Sequence, residues 1–159
     1  MRRRMTAAVL LASALVGGCG SSKARPAGTA HVNPHYGAPG ARISFLHPIQ
    51  GSTVAQSVRV KVAVTSFKLD PTNLDKAPES GHGALLFSMD GGRFDTPRHA
   101  GANGRLAVRL GIAGKYSPAV RPEITYEGLP PGRHTLVAAL VNNDLSRTGV
   151  RARVVFSVR

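Results

Sequence analysis

Apolar and polar residues alternate with a period of two along most of the chain beyond residue 42. In an extended backbone successive side chains point to opposite faces, so this alternation marks a strand with one buried face. It is clearest from Ser57 to Phe67, where Val58, Val60, Val62 and Val64 share one face and Arg59, Lys61 and Thr65 share the other. Near the C-terminus Ala152, Val154, Phe156 and Val158 alternate with Arg151, Arg153, Ser157 and Arg159. Leu106, Val108 and Leu110 alternate with Arg105 and Arg109 in the same way. From Arg133 to Asn142 both faces are apolar, Leu136, Ala138 and Leu140 against Val137, Ala139 and Val141, which predicts a central strand. Runs at Ile43 to Leu46 and Glu123 to Glu127, and His82 to Met89 closed by the turn signal Asp90-Gly91-Gly92, bring the set to about seven strands.

No stretch shows an amphipathic helical period, and Pro and Gly punctuate the gaps at the spacing of a sandwich. The expected fold is therefore all-β, two packed antiparallel sheets over residues 42–159. The stretches 69–80 and 92–104 are the least regular and read as insertions or binding edges. Composition agrees: with no Trp and only 5% aromatics, the core must rest on Val, Leu, Ile and Ala, and β-branched side chains favour strands. At 159 residues the chain has room for one domain and an appendage.

The appendage has its own pattern. Residues 1–18 run through Arg2, Arg3 and Arg4, an apolar stretch from Ala7 to Val16, and two glycines, the order of an export signal. About ten apolar residues span only about 15 Å as a helix, half of a bilayer's hydrocarbon core, so a cleavable segment is expected rather than a permanent span. Val16-Gly17-Gly18-Cys19 resembles the bacterial lipobox. That resemblance implies a diacylglyceryl group on the Cys19 sulfur, cleavage before Cys19, and acylation that leaves palmitate-like chains on a lipid-anchored N-terminus. It also implies a cell membrane, or an outer membrane since Gly20 is not the aspartate associated with inner-membrane retention, with the domain outside the cytoplasm. Cys19 is the only cysteine, so no intrachain disulfide forms. Residues 19–41 are rich in Gly, Ala, Ser and Pro and read as a disordered tether; its His31, His35 and Tyr36 offer no preformed metal geometry.

Beyond the tether, Ile43-Ser44-Phe45-Leu46-His47-Pro48-Ile49-Gln50-Gly51-Ser52-Thr53-Val54, Gly81-His82 before Met89-Asp90-Gly91, Leu129-Pro130-Pro131-Gly132-Arg133-His134-Thr135-Leu136, and Val141-Asn142-Asn143-Asp144 stand in an order that resembles a bacterial immunoglobulin-like domain of secreted and lipid-anchored proteins. The resemblance implies an immunoglobulin-like sandwich and, in members carrying more histidines, a copper or zinc site. Here Ala84, Leu86 and Leu145 stand at the other ligand positions and only His82 and Asp144 remain, with His47 and His134 elsewhere. Two ligands hold a metal weakly. Without a metal His82 reads as a strand-edge histidine, His134 as a polar residue opening a strand, and Asp144 as turn chemistry.

Charge and reactive groups narrow the function. The formal charge is +13, and loss of the first three arginines leaves 18 Lys and Arg against 8 Asp and Glu, or +10. Attraction to anionic lipid headgroups or cell-wall polymers follows, with nucleic acid a poorer partner outside the cytoplasm. The cysteine is reserved for lipid, no Gly-x-Ser-x-Gly elbow or acidic pair occurs, and His82 and Ser88 lie about 20 Å apart on a strand. The sequence thus reads as a non-enzymatic envelope lipoprotein, with no cofactor beyond the covalent lipid on Cys19. Its sandwich offers Arg59, Lys61, Arg105, Arg109, Arg151 and Arg153 to an anionic polymer or another envelope protein. The alternative is an envelope copper or zinc protein using His82 and Asp144.

Overall fold

In the computed structural model, which describes residues 38–159, the chain forms nine strands, one α-helix and a single 3-10 turn at Asp90–Gly92 among those residues. In order they are β1 (Arg42–His47), β2 (Thr53–Val54), β3 (Val58–Thr65), β4 (Lys68–Leu69), β5 (His82–Met89), α1 (Pro97–Arg109), β6 (Ser117–Ala119), β7 (Glu123–Tyr126), β8 (Gly132–Asn142) and β9 (Arg147–Val158). A three-stranded sheet has the order β1-β3-β7 and a six-stranded sheet the order β2-β9-β8-β5-β4, with β6 also on β5. The fold is the all-β sandwich that the alternation predicts. Val58, Val60 and Val62 of β3 and Ile124 and Tyr126 of β7 meet Leu85, Phe87, Met89, Leu136, Ala138, Leu140, Val154 and Phe156 of the larger sheet in one core.

Two expectations are corrected. The sheets are not wholly antiparallel, because the short ribbons β2·β9 and β4·β5 are parallel. After β1, the cis His47-Pro48 bond and the turn closed by Ser52 N–H on Ile49 O carry the chain across to the other sheet, where β2 runs beside β9. β4 lies parallel to β5 because residues 70–81 supply the long connection that parallel neighbours need. The second correction is larger: Arg105, Leu106, Val108, Arg109 and Leu110 belong to α1 and its C-cap, not to a strand. α1 is interrupted at Gly101, whose φ of 51° and ψ of −122° are not helical; its opening turn buries Ala100 and its longer second part Gly104 and Ala107, residues too small to register as hydrophobic, while Val108 is exposed. Pro97 opens the helix, where its missing N–H costs nothing, and Gly111 follows its end at a φ of 68°.

Gly104 explains why small residues are required. A Cβ at this position would overlap the Thr96 carbonyl and the Pro97 nitrogen, which are backbone atoms that cannot step aside. Ala has the better helix propensity, by about 1 kcal/mol.

One end of the sandwich is pinned by buried polar groups. Asp95 is fully buried; the Tyr126 hydroxyl donates to its Oδ1 at 2.6 Å and the Met89 N–H to its Oδ2 at 2.9 Å. Burial raises the Asp95 pKa, opposed by these bonds, and burial together with the neighbouring carboxylate raises that of Tyr126 well above its ordinary value. Asp70 behaves oppositely. Its carboxylate accepts from the Thr72 hydroxyl and N–H and from Asn73 Nδ2, at 2.8 to 2.9 Å, and these bonds lower its pKa from 3.8 to about 2.

Four outcomes are expected from urea unfolding of the full chain. Gly104→Ala destabilises despite the propensity gain; equal or higher stability would contradict the overlap. Tyr126→Phe costs about 1–3 kcal/mol by stripping a bond from a buried carboxyl. As for pH, Asp70 stabilises above its unfolded pKa and loses this contribution as pH falls from about 3.8 to about 2, so Asp70→Ala flattens that acid limb. Asp95, raised by burial, contributes most below the unfolded value and loses that contribution as pH rises through its folded pKa, so Asp95→Asn flattens the opposite slope.

Candidate functional site on the outer face of the large sheet

β5 and β8 carry apolar residues on both faces, so their outward side chains need cover as well. Ala84, Leu86 and Val141 form a second buried cluster there, packed under Leu74, Ile112, Tyr116, Val120 and Leu145. These covering residues come from the loop 70–81, the segment after α1 and the β8–β9 hairpin. The cover is incomplete on the β9 side. A groove of about 420 Å³ remains, with Leu86, Val137, Ala139 and Val141 among its lining and Tyr116 and Leu145 along one wall.

Strand register sets the other wall. Across β5, β8 and β9 the outer face runs in rows: Ala84–Val141–Arg147, Leu86–Ala139–Arg151 and Ser88–Val137–Arg153. Every row ends on an exposed arginine. An irregularity in β9, with Gly149 at a φ of 85° and the Thr148 hydroxyl donating to Leu140 O, returns Arg147 to the face of Arg151. No described carboxylate lies within 4.0 Å of Arg147, Arg151 or Arg153. The groove therefore has an apolar floor, one apolar wall and one cationic wall.

The six cations expected on a single basic face are divided among three places. Arg151 and Arg153 line the groove side of the large sheet. Arg59 and Lys61 lie on β3 in the opposite sheet, where Arg59 is paired with Glu123 at 2.7 Å. Arg105 and Arg109 are exposed on α1. Period-two alternation gives the face within a strand but not which sheet the strand joins, so it cannot group residues from different strands. A wider cleft of about 590 Å³ lies between α1 and β7, but the Arg59–Glu123 pair within it is already charge-matched.

The histidines and Asp144 are also placed. The Asp144 carboxylate accepts the Ser146 N–H at 2.9 Å and closes the β8–β9 turn. His82 opens β5, its Nδ1 3.1 Å from a Glu79 oxygen but off the line of a hydrogen bond. His47 ends β1, exposed. Among the described residues no three His, Cys, Asp or Glu side chains converge as metal ligands. His134 is buried: Nδ1 lies 2.7 Å from Asp90 Oδ2 and Nε2 2.9 Å from Pro130 O, while the ring stacks on Phe156 and meets Phe94 edge-on. Both ring partners are acceptors, and the other Asp90 oxygen accepts the Thr135 N–H at 2.7 Å. His134 thus ties the turn after β5 to β8. Cys19, His31, His35 and Tyr36, with the expected export signal and the tether up to residue 37, lie outside the described residues; the end expected of the tether, residues 38–41, is instead a turn closed by the Ala41 N–H on Ala38 O, with Ala38 and Ala41 buried in the core.

The sequence missed Arg147, Tyr116 and Leu145. Arg147 continues the alternation of Arg151 and Arg153 upstream, a signal present but interrupted by Gly149; Tyr116 and Leu145 lie in loops, where no period exists to read. Compared with protein-family models and with curated proteins, the chain has no match. Among the described residues no helix is long and apolar enough to cross a membrane.

His134→Ala is expected to cost about 1–3 kcal/mol in urea unfolding, because Asp90 and the Pro130 carbonyl lose their donor. An unchanged midpoint would show that the His134 bonds do not hold the turn.

Proposed function

We propose that this chain is an envelope lipoprotein, anchored through lipid on Cys19, whose immunoglobulin-like β-sandwich is a non-catalytic interaction module. The observation that carries the interaction role is the outer face of the large sheet, where Arg147 and Arg151, without a described carboxylate partner, line an open apolar floor and Arg153 follows on the same face of β9. A sheet face left apolar on its own would favour aggregation, and one left purely cationic would be a solvated surface; the two side by side are what an anionic partner with an apolar part requires. Support for the anchor is the arginine run, the apolar stretch and the small residues before the only cysteine. The partner is the membrane itself or an anionic component of the envelope.

The test is the intact mass of the protein extracted from membranes, beside a Cys19→Ala variant. Loss of residues 1–18 plus acyl mass is expected for the unsubstituted chain, and no acyl mass for the variant, which lacks the thiol that accepts the lipid. An unlipidated mass for the membrane-extracted protein would overturn the anchor.

A further inference from the structure

Resting on the membrane-anchored reading, we infer that the groove on the outer face of the large sheet seats one acyl chain of an anionic phospholipid, with Arg147 and Arg151 on its phosphate. Three features of the groove select this occupant. Its floor is sheet face, so the backbone groups beneath it are engaged in the β5·β8 and β8·β9 ladders. A peptide laid there would find no ladder to join, whereas an acyl chain needs only apolar contact. Its volume of about 420 Å³ is that of a small-ligand site rather than of a protein-sized patch. Its polarity is one-sided: Leu86, Ala139 and Leu145 offer hydrocarbon, and the guanidinium groups stand in a row on one strand. An amphiphile with one anionic head has the same asymmetry, and arginine grips phosphate with two parallel bonds.

Placement agrees. Arg42, the first residue of β1, pairs with Thr65; three residues later β4 begins and Lys68 pairs with His82; Gly83 pairs with Asn142 at the hairpin that carries Leu145 and Arg147. The chain from Cys19 therefore enters the sandwich at the end where the groove begins. The 18 residues between Cys19 and residue 38 span at most about 65 Å, which keeps that end within reach of the bilayer surface.

The experiment uses the full lipidated chain in vesicles that contain a photoactivatable phosphatidylglycerol with the reactive group on its acyl chain, or a phosphatidylcholine carrying the same group. Labelled peptides are identified by mass spectrometry, and the amount of chain recovered with the vesicles is read separately. Labelling of residues 137–145 by the anionic probe is expected, falling more than about tenfold in Arg147→Ser/Arg151→Ser and unchanged in Arg105→Ser/Arg109→Ser. Vesicle recovery stays the same for all three chains; its loss would instead indict the anchor. Equal labelling by phosphatidylcholine, equal loss with the α1 arginines, labelling elsewhere, or chain–chain cross-links at the groove in place of lipid would each overturn the inference.

Discussion

The six-stranded sheet has two apolar faces at its centre, and the rest of the molecule answers that constraint. Phe87, Leu136, Ala138 and Leu140 point inward and are covered by the three-stranded sheet. Leu86 and Val141 point outward and cannot stay in water without cost, each buried large apolar side chain being worth about 1.5–3 kcal/mol. The segment after α1, the loop 70–81 and the hairpin turn therefore fold back onto that face. Their cover stops short of β9, where arginines end each row, and the groove is the gap between an apolar demand and a partial lid.

Polar pins fix the end of the sandwich remote from the hairpin. Asp90, in a left-handed conformation with a φ of 49°, uses one carboxylate oxygen on His134 and the other on the Thr135 N–H. Five residues on, Asp95 binds the Met89 N–H and the Tyr126 hydroxyl and so joins the two sheets through side chains. Such bonds add little net stability each when intact, but removing one partner leaves a buried group unsatisfied, which is why they act as pins. α1 is held to β7 by paired bonds between His99 and Glu127, the His99 carbonyl accepting the Glu127 N–H and the His99 Nδ1 meeting the Glu127 carbonyl. The outer face of the large sheet is thus carried on a scaffold pinned at the end remote from the hairpin.

Much of this was legible in the sequence, for one physical reason. Strand residues alternate faces, so the valines of β3, the double-sided apolar pattern of β8 and the arginines of β9 reported both their element and their exposure. The helix was illegible because its contact face is Ala100, Gly104 and Ala107: close packing, not hydrophobicity, selects those residues, and Leu106, Val108 and Leu110 mimic a strand over five positions. The short ribbons β2, β4 and β6 were missed because two or three residues hold no period. On the outer face of β9, Arg151 and Arg153 were read correctly as an exposed pair, whereas the groove residues beside them depended on register and on loops. His134 was read as a polar residue opening a strand, and its burial follows from Asp90, a partner 44 residues earlier in the chain.

We propose the outer face of β5, β8 and β9 as the working surface of the protein. Its most direct measurement is amide NMR of the full chain in a zwitterionic nanodisc, titrated with monomeric dodecyl phosphate. The account predicts shifts concentrated at Leu86, Val137, Ala139, Val141 and Arg151; shifts confined to the α1–β7 cleft or to the Leu46–Ile49 loop, or none, would contradict it.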